Sequence, residues 1–189
     1  MKKDPENWKS GLGERTLRMI GIRESQVVLD FGCGEGWYTV PVLRIVGEEG
    51  FVYALDMEES ELDKLSGSLK SLRMKNCRLI QSDDMSVNLP DEHVDVVLLY
   101  DVFHYYYFSD EEDRRKLLRE LGRVLKPEGM LSLYPKHLES HSTPSMHEAQ
   151  EELEKEGFHL IKKNRVTMIH EEILEETIVM NYQSRAHSA

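Results

Sequence analysis

The chain is short of cysteine, of positive charge and of long apolar runs, and each shortage removes a class of function. Its 189 residues include two cysteines, Cys33 and Cys77. No C-x-x-C pair and no Cys-to-His spacing suggests zinc, and no metal is expected. Cys33 lies between glycines, where a disulfide would be awkward, so reduced thiols and a cytoplasmic setting are expected. The chain has 24 basic residues against 35 acidic ones, a net charge of −11. That balance argues against a general nucleic-acid or anionic-membrane binder. No apolar run approaches the ~18 residues of a membrane span. The opening Met1-Lys2-Lys3-Asp4-Pro5 has no apolar stretch behind it and does not read as a secretory signal. No repeat or low-complexity segment occurs. At 40% apolar and 31% charged, the length fits one domain, residues 1–189, with a full core.

What is present is organised around Val27-Val28-Leu29-Asp30-Phe31-Gly32-Cys33-Gly34-Glu35-Gly36. An apolar run ends in an acid, and three glycines follow at alternate positions. This predicts a strand, a tight loop and a helix, with backbone left bare for a ligand. A dinucleotide fingerprint reads G-x-G-x-x-G and carries pyrophosphate. Here the spacing is G-x-G-x-G, and Asp30 would repel phosphate but suit a cation.

The same grammar continues downstream. Residues 1–24 form an N-terminal segment, with Leu12, Leu17, Met19 and Ile20 on a partial apolar face. Trp8 reads as its anchor, with a lid over the ligand as the alternative. A first strand spans 26–31, a helix 36–46, a second strand 50–56 and a helix 58–73 with Leu62, Leu65, Leu69 and Leu72 at helical spacing. A third strand (77–80) leads into the polar loop Gln81–Asp91. Val94–Tyr100 is the most strongly β-like run. Then come Asp101-Val102-Phe103-His104-Tyr105-Tyr106-Tyr107, a helix over 111–125 capped by Ser109 or Asp110, a turn at 126–129, a fifth strand (130–134), a helix over 148–157 and two strands over 158–168 and 173–183. Five β-α repeats and a terminal strand pair predict a mainly parallel α/β sheet with helices on both faces.

In this order the motifs resemble class I S-adenosylmethionine-dependent methyltransferases, over about 25–183. The resemblance implies a doubly wound Rossmann-like sheet of seven strands, the last antiparallel. It implies S-adenosylmethionine as cofactor, held at Asp30, Gly32, Gly34 and Gly36. Asp56, 20 residues after Gly36, would accept from the adenosine ribose hydroxyls. Asp83, with Pro90 seven residues on, would accept from the adenine amino group, and the Asp84 backbone N–H would meet a ring nitrogen. Cys33, Met57, Met85 and Tyr100 join this set by adjacency, and Tyr38 either borders the cofactor or packs its helix. Arg123–Gly129 also matches a family segment, with a structural role.

The implied reaction is an in-line displacement that needs alignment above all. A base is required only where the acceptor must lose a proton. His104 is the first candidate for it and Asp101 the second, with packing at the pocket rim as the competing role of His104. The three tyrosines Tyr105, Tyr106 and Tyr107 would wall the mouth or face the sulfonium. His137, His141 and His147 read as a solvated segment. Catechol-type magnesium binding is disfavoured because Tyr134-Pro135-Lys136-His137 supplies no Asp-Asn pair. Base- and glutamine-methylating enzymes carry D/N-P-P-Y/F where this chain has Tyr100-Asp101-Val102-Phe103, which leaves a small-molecule acceptor. The alternatives are a non-catalytic cofactor-binding sensor or partner subunit, and a nicotinamide-dependent dehydrogenase. The sequence does not give the oligomeric state.

Overall fold

The computed structural model describes residues 5–82, 85–104, 106–136, 138 and 145–184. Asp83, Asp84, Tyr105, His137 and His141 lie outside the described residues.

Seven strands form one sheet in the order β3-β2-β1-β4-β5-β7-β6. They are β1 (Val27–Phe31), β2 (Phe51–Asp56), β3 (Cys77–Gln81), β4 (Val94–Tyr100), β5 (Leu125–Tyr134), β6 (Phe158–His170) and β7 (Ile173–Ser184). β1 through β5 pair in parallel, and β7 runs antiparallel to both β5 and β6. The chain builds outward from β1 to β3, then returns to place β4 on the other side of β1. The reversal opens a crevice at the carboxyl ends of β1 and β4, where sheets of this kind seat ligands.

The central strands are apolar on both faces because both are covered. Along β4, Val96, Leu98 and Tyr100 join the core under α1 (Gly13–Ile20), α2 (Thr39–Val46) and α3 (Glu59–Ser71). Val97 and Leu99 join the core under α4 (Glu111–Val124) and α5 (Met146–Lys155). Trp8, 1% exposed, opens a π-type helical turn (Trp8–Leu12) that precedes α1, and its Nε1 donates to the Trp37 carbonyl at 2.7 Å. It is an anchor in the core.

Several expected boundaries move for physical reasons. α2 begins at Thr39, since Gly34 and Gly36 adopt positive φ and hold 32–38 as loop. The buried face of α1 is Gly13, Thr16, Leu17 and Ile20, while Met19 points outward, as does Leu72 beyond α3. Lys126–Gly129 is a bulge within β5, where the register jumps from Val94↔Leu125 to Val96↔Met130 and Glu128 takes φ 63. Among the described residues no helix joins β3 to β4. Asp110 caps α4, accepting from Glu112 N at 2.7 Å. α5 begins at Met146 because Ser145 and Glu148 form a capping box.

A buried polar chain fixes the sheet against α1. The Tyr100 hydroxyl meets Ser132 Oγ at 2.9 Å, Ser132 Oγ donates to Asn181 Oδ1 at 3.1 Å, and Asn181 Nδ2 donates to the Ile20 carbonyl at 2.7 Å. That carbonyl ends a helix and has no intrahelical donor. Asn181→Leu is expected to destabilise the protein by about 2–4 kcal/mol in urea unfolding, because it strands several buried polar groups at once.

Candidate functional site

The glycine loop crosses the end of β2. The N–H groups of Gly32 and Cys33 both donate to the Leu55 carbonyl, at 2.8 and 2.9 Å. Gly32 (φ 77) has no room for a Cβ, which would strike Val102, and a Cβ on Gly36 (φ 93) would strike Leu65. Gly34 differs: its φ is 50, and a Cβ there would meet nothing within 4 Å. Its backbone faces open space at the crevice. Cys33 is buried, and burial together with the Asp30 and Asp56 carboxylates pushes its thiol far above the ordinary range. It fills volume and is not a nucleophile.

Asp56 staples this loop to the start of α3. Its Oδ2 accepts from Gly34 N at 2.7 Å and its Oδ1 from Glu58 N at 2.9 Å. A carboxylate offers about four lone-pair directions, so both oxygens retain capacity for a ligand hydroxyl. Met57, next to it, is exposed.

Asp30 is 1% exposed. Thr39 Oγ1, at the start of α2, donates to its Oδ2 at 2.6 Å. Among the described residues no cation pairs with it. Burial pushes its carboxyl up to about 7, the Thr39 hydrogen bond holds it down, and the Asp56 charge adds to the rise. A group in this state gains most from a cation placed beside it.

Tyr38 and Tyr100 form part of an aromatic ladder behind the loop. Trp8 lies edge-on to Tyr38 at 5.5 Å, Tyr38 to Tyr100 at 4.9 Å, and Tyr100 to Tyr134 at 6.3 Å. The Tyr38 hydroxyl donates to the Ile169 carbonyl, tying α2 to the β6–β7 hairpin. Tyr38 therefore does pack its helix, at the crevice wall.

The far side of the crevice starts at Asp101, which has a left-handed backbone, φ 59. Its Oδ2 lies 2.9 Å from Nε2 of His170, the last residue of β6. Beside this pair, Glu175 on β7 binds both the Tyr134 hydroxyl and Lys136. His104 sits on the following turn, where its Nδ1 accepts from Tyr106 N at 3.2 Å and its ring lies 4.9 Å from Tyr107. Tyr106 is 83% exposed. Burial, with the carboxylates of Asp56 and Asp101, raises the Tyr107 phenol. His147 lies outside this group, on α5 beside Glu151. Among the described residues no three His, Cys, Asp or Glu side chains gather to hold a metal, and no helix is long and apolar enough to cross a membrane.

Sequence reasoning missed His170, Glu175 and Lys136, since only the tertiary fold brings the β6–β7 hairpin tip to the end of β4. It also missed the clamp on the loop before β4. Arg123 donates to the carbonyls of Val87 and Leu89, each at 2.9 Å, and Glu120 Oε1 accepts from Val87 N at 2.9 Å. This gives the segment around Arg123 its structural role and positions Met85, which packs half-buried against the core.

Known proteins share this fold. A methyltransferase domain is matched over residues 28–129. Demethylmenaquinone methyltransferase from Staphylococcus aureus (strain MRSA252) is 30% identical over 118 residues, 62% of this chain and 46% of that protein. The chain thus spans about half the length of the curated relatives it matches. The solved structure of a SAM-dependent methyltransferase from Aquifex aeolicus superposes with TM-score 0.72 at 26% identity, covering 95% of this chain and 98% of that one. The [4+2]-cyclase SpnF, at 14% identity and TM-score 0.69, covers 96% of this chain and 82% of its own; it shows the fold alone. With the matched domain taking in more than half of the residues and the whole sheet order in place, the chain belongs to the methyltransferase domain family.

Proposed function

We propose that this protein transfers a methyl group from S-adenosylmethionine to a small-molecule acceptor. The observation that carries the reading is the pairing of Asp30, a buried acid with no cation beside it among the described residues, with the open backbone at Gly34. A sulfonium amino acid joined to adenosine fits both features and carries no phosphate for Asp30 to repel. When bound, the cofactor supplies an activated methyl carbon.

Asp30 balances the cationic end of the ligand through the loop, and Gly32, Cys33, Gly34 and Gly36 present backbone to it. Asp56 accepts from the ribose hydroxyls. Met57 and Met85 stand on the adenine side, where the resemblance assigns Asp83 to the amino group and the Asp84 N–H to a ring nitrogen, and Tyr38 and Tyr100 wall the cleft. Asp101 and His104 stand on the acceptor side. The work of the protein is alignment and exclusion of water. The tyrosine-lined mouth suits a flat, apolar acceptor. The S. aureus relatives are demethylmenaquinone methyltransferases, of whose length this chain spans about half. The net charge of −11 supports a substrate other than nucleic acid, and two unpaired thiols support a location in the cytoplasm.

Calorimetric titration with S-adenosylmethionine, S-adenosylhomocysteine and NAD tests this. Both adenosyl ligands are expected to bind and NAD is not. Asp56→Ala should weaken binding about tenfold or more, the worth of a charge-assisted hydrogen bond. Binding of NAD in place of both adenosyl ligands would overturn the reading.

A further inference from the structure

The β6–β7 hairpin brings to the crevice a side chain that the reading above does not use. Its turn is made by Glu171 and Glu172, both left-handed (φ 46 and 61), where such turns favour Asn and Gly. A strained turn of this kind persists when the surrounding structure demands it. Here it sets His170 at the end of β6, against Asp101 at the end of β4. The two side chains are 13% and 26% exposed, so the pair is largely withdrawn from solvent. Val102, adjacent to Asp101, is the residue that a Cβ on Gly32 would strike, so the pair stands one residue from the glycine loop.

We propose that His170 and Asp101 together form the proton-accepting pair of the acceptor site, and that the acceptor loses a proton on methylation, as a hydroxyl or an activated carbon acid does. This rests on the methyl-transfer reading above. His104 suits the role less well. Its Nδ1 already accepts from Tyr106 N, so the neutral ring carries its proton on Nε2 and offers no lone pair without breaking that bond.

The step balances simply. The acceptor X–H bond breaks and its electron pair forms the X–C bond. Its proton enters the pair, which passes from imidazole–carboxylate to imidazolium–carboxylate. The carbon–sulfur electron pair remains on the departing thioether.

The charges around the pair suit a proton store. Burial raises the Asp101 carboxyl to about 6, as do Glu171 in the turn and Glu175 on β7; His170 and Lys136 pull it back. The phenols of Tyr38 and Tyr107 lie within the field of Asp101, and the Tyr134 hydroxyl donates to Glu175 beside it.

Two measurements test the proposal, alongside S-adenosylhomocysteine calorimetry on each variant. The first is a 13C-carboxyl NMR titration of Asp101 in the ligand-free protein. A midpoint near about 6 is expected, and it should rise in His170→Gln, which removes the imidazole that holds it down. An unchanged midpoint would mean the two groups do not act as a pair. The second is methyl transfer to 2-naphthol as probe. In His170→Gln, kcat at pH 7 should fall about 10²–10³-fold with KM little changed. The loss should shrink toward the pH at which the naphthol ionises unaided. A loss equal at every pH, or no loss, would overturn the assignment. Failure of the wild type to bind S-adenosylhomocysteine would instead overturn the cofactor reading on which it rests.

Discussion

Asp30→Asn is expected to stabilise the ligand-free protein above neutral pH and to weaken S-adenosylmethionine binding by about 100-fold. Asparagine keeps the shape and still accepts the Thr39 hydrogen bond. What it removes is the cost of a charge in a buried place. In the unfolded chain the carboxyl ionises near 4, whereas in the folded protein it holds its proton up to about 7. Between those values the folded state binds more protons, so stability falls as pH rises and levels off above about 7. The variant loses that slope and should gain about 2–4 kcal/mol at pH 8. The effect on binding has the opposite sign, since the ligand's cation is what compensates the ionised acid. In the wild type, affinity should therefore grow as pH rises from 6 to 8. Urea unfolding across pH, paired with calorimetry, checks both halves. A destabilised variant with unchanged affinity would show that Asp30 is only a structural acceptor.

Arg114→Ala should cost about 3–5 kcal/mol, a fall of roughly 6–20 °C in melting temperature. Arg114 and Glu152 are 6% and 5% exposed and meet through two hydrogen bonds, at 2.9 and 2.7 Å. A third bond from Arg114 reaches the Phe108 carbonyl at 2.8 Å. The single change leaves a buried carboxylate without its partner and frees the turn that carries His104. An apolar replacement of both, Arg114→Met with Glu152→Leu, should recover most of the loss, because the buried pair spends much of its attraction on desolvation. Thermal unfolding of the two variants beside the wild type settles it. A double variant no better than the single one would mean that the Phe108 contact, not the stranded charge, dominates.

The sheet and the glycine loop were legible because they depend on local signals. Val94–Tyr100 reads as a strand from its own residues, and Asp30, Gly34 and Asp56 lie within a few positions of strand ends. The Ser145–Glu148 capping box has the S-x-x-E form, but the helix was expected only from 148 and the cap was missed. The acceptor side was not legible. His170 meets Asp101 across 69 positions of sequence, and nothing in Met168-Ile169-His170 marks it as more than a strand end. In sequence Arg114 is one charge among many in Glu111-Glu112-Asp113-Arg114-Arg115-Lys116. Its burial follows from where α5 comes to rest, which no local pattern encodes.

The position of β7 has a consequence for how the protein is made. β6 is synthesised before β7, yet β7 lies between it and β5. A nascent chain can pair β1 through β5 once residue 134 is available. β6 must then wait, and the Met130–Leu133 edge stays bare until residues 173–184 have left the ribosome. An uncovered apolar edge is a template for wrong partners. Asn181, which bonds to Ser132 on that edge and to the end of α1, lets the late strand enter in one register. Vectorial synthesis thus leaves this protein most exposed to misassembly just before its final strand arrives.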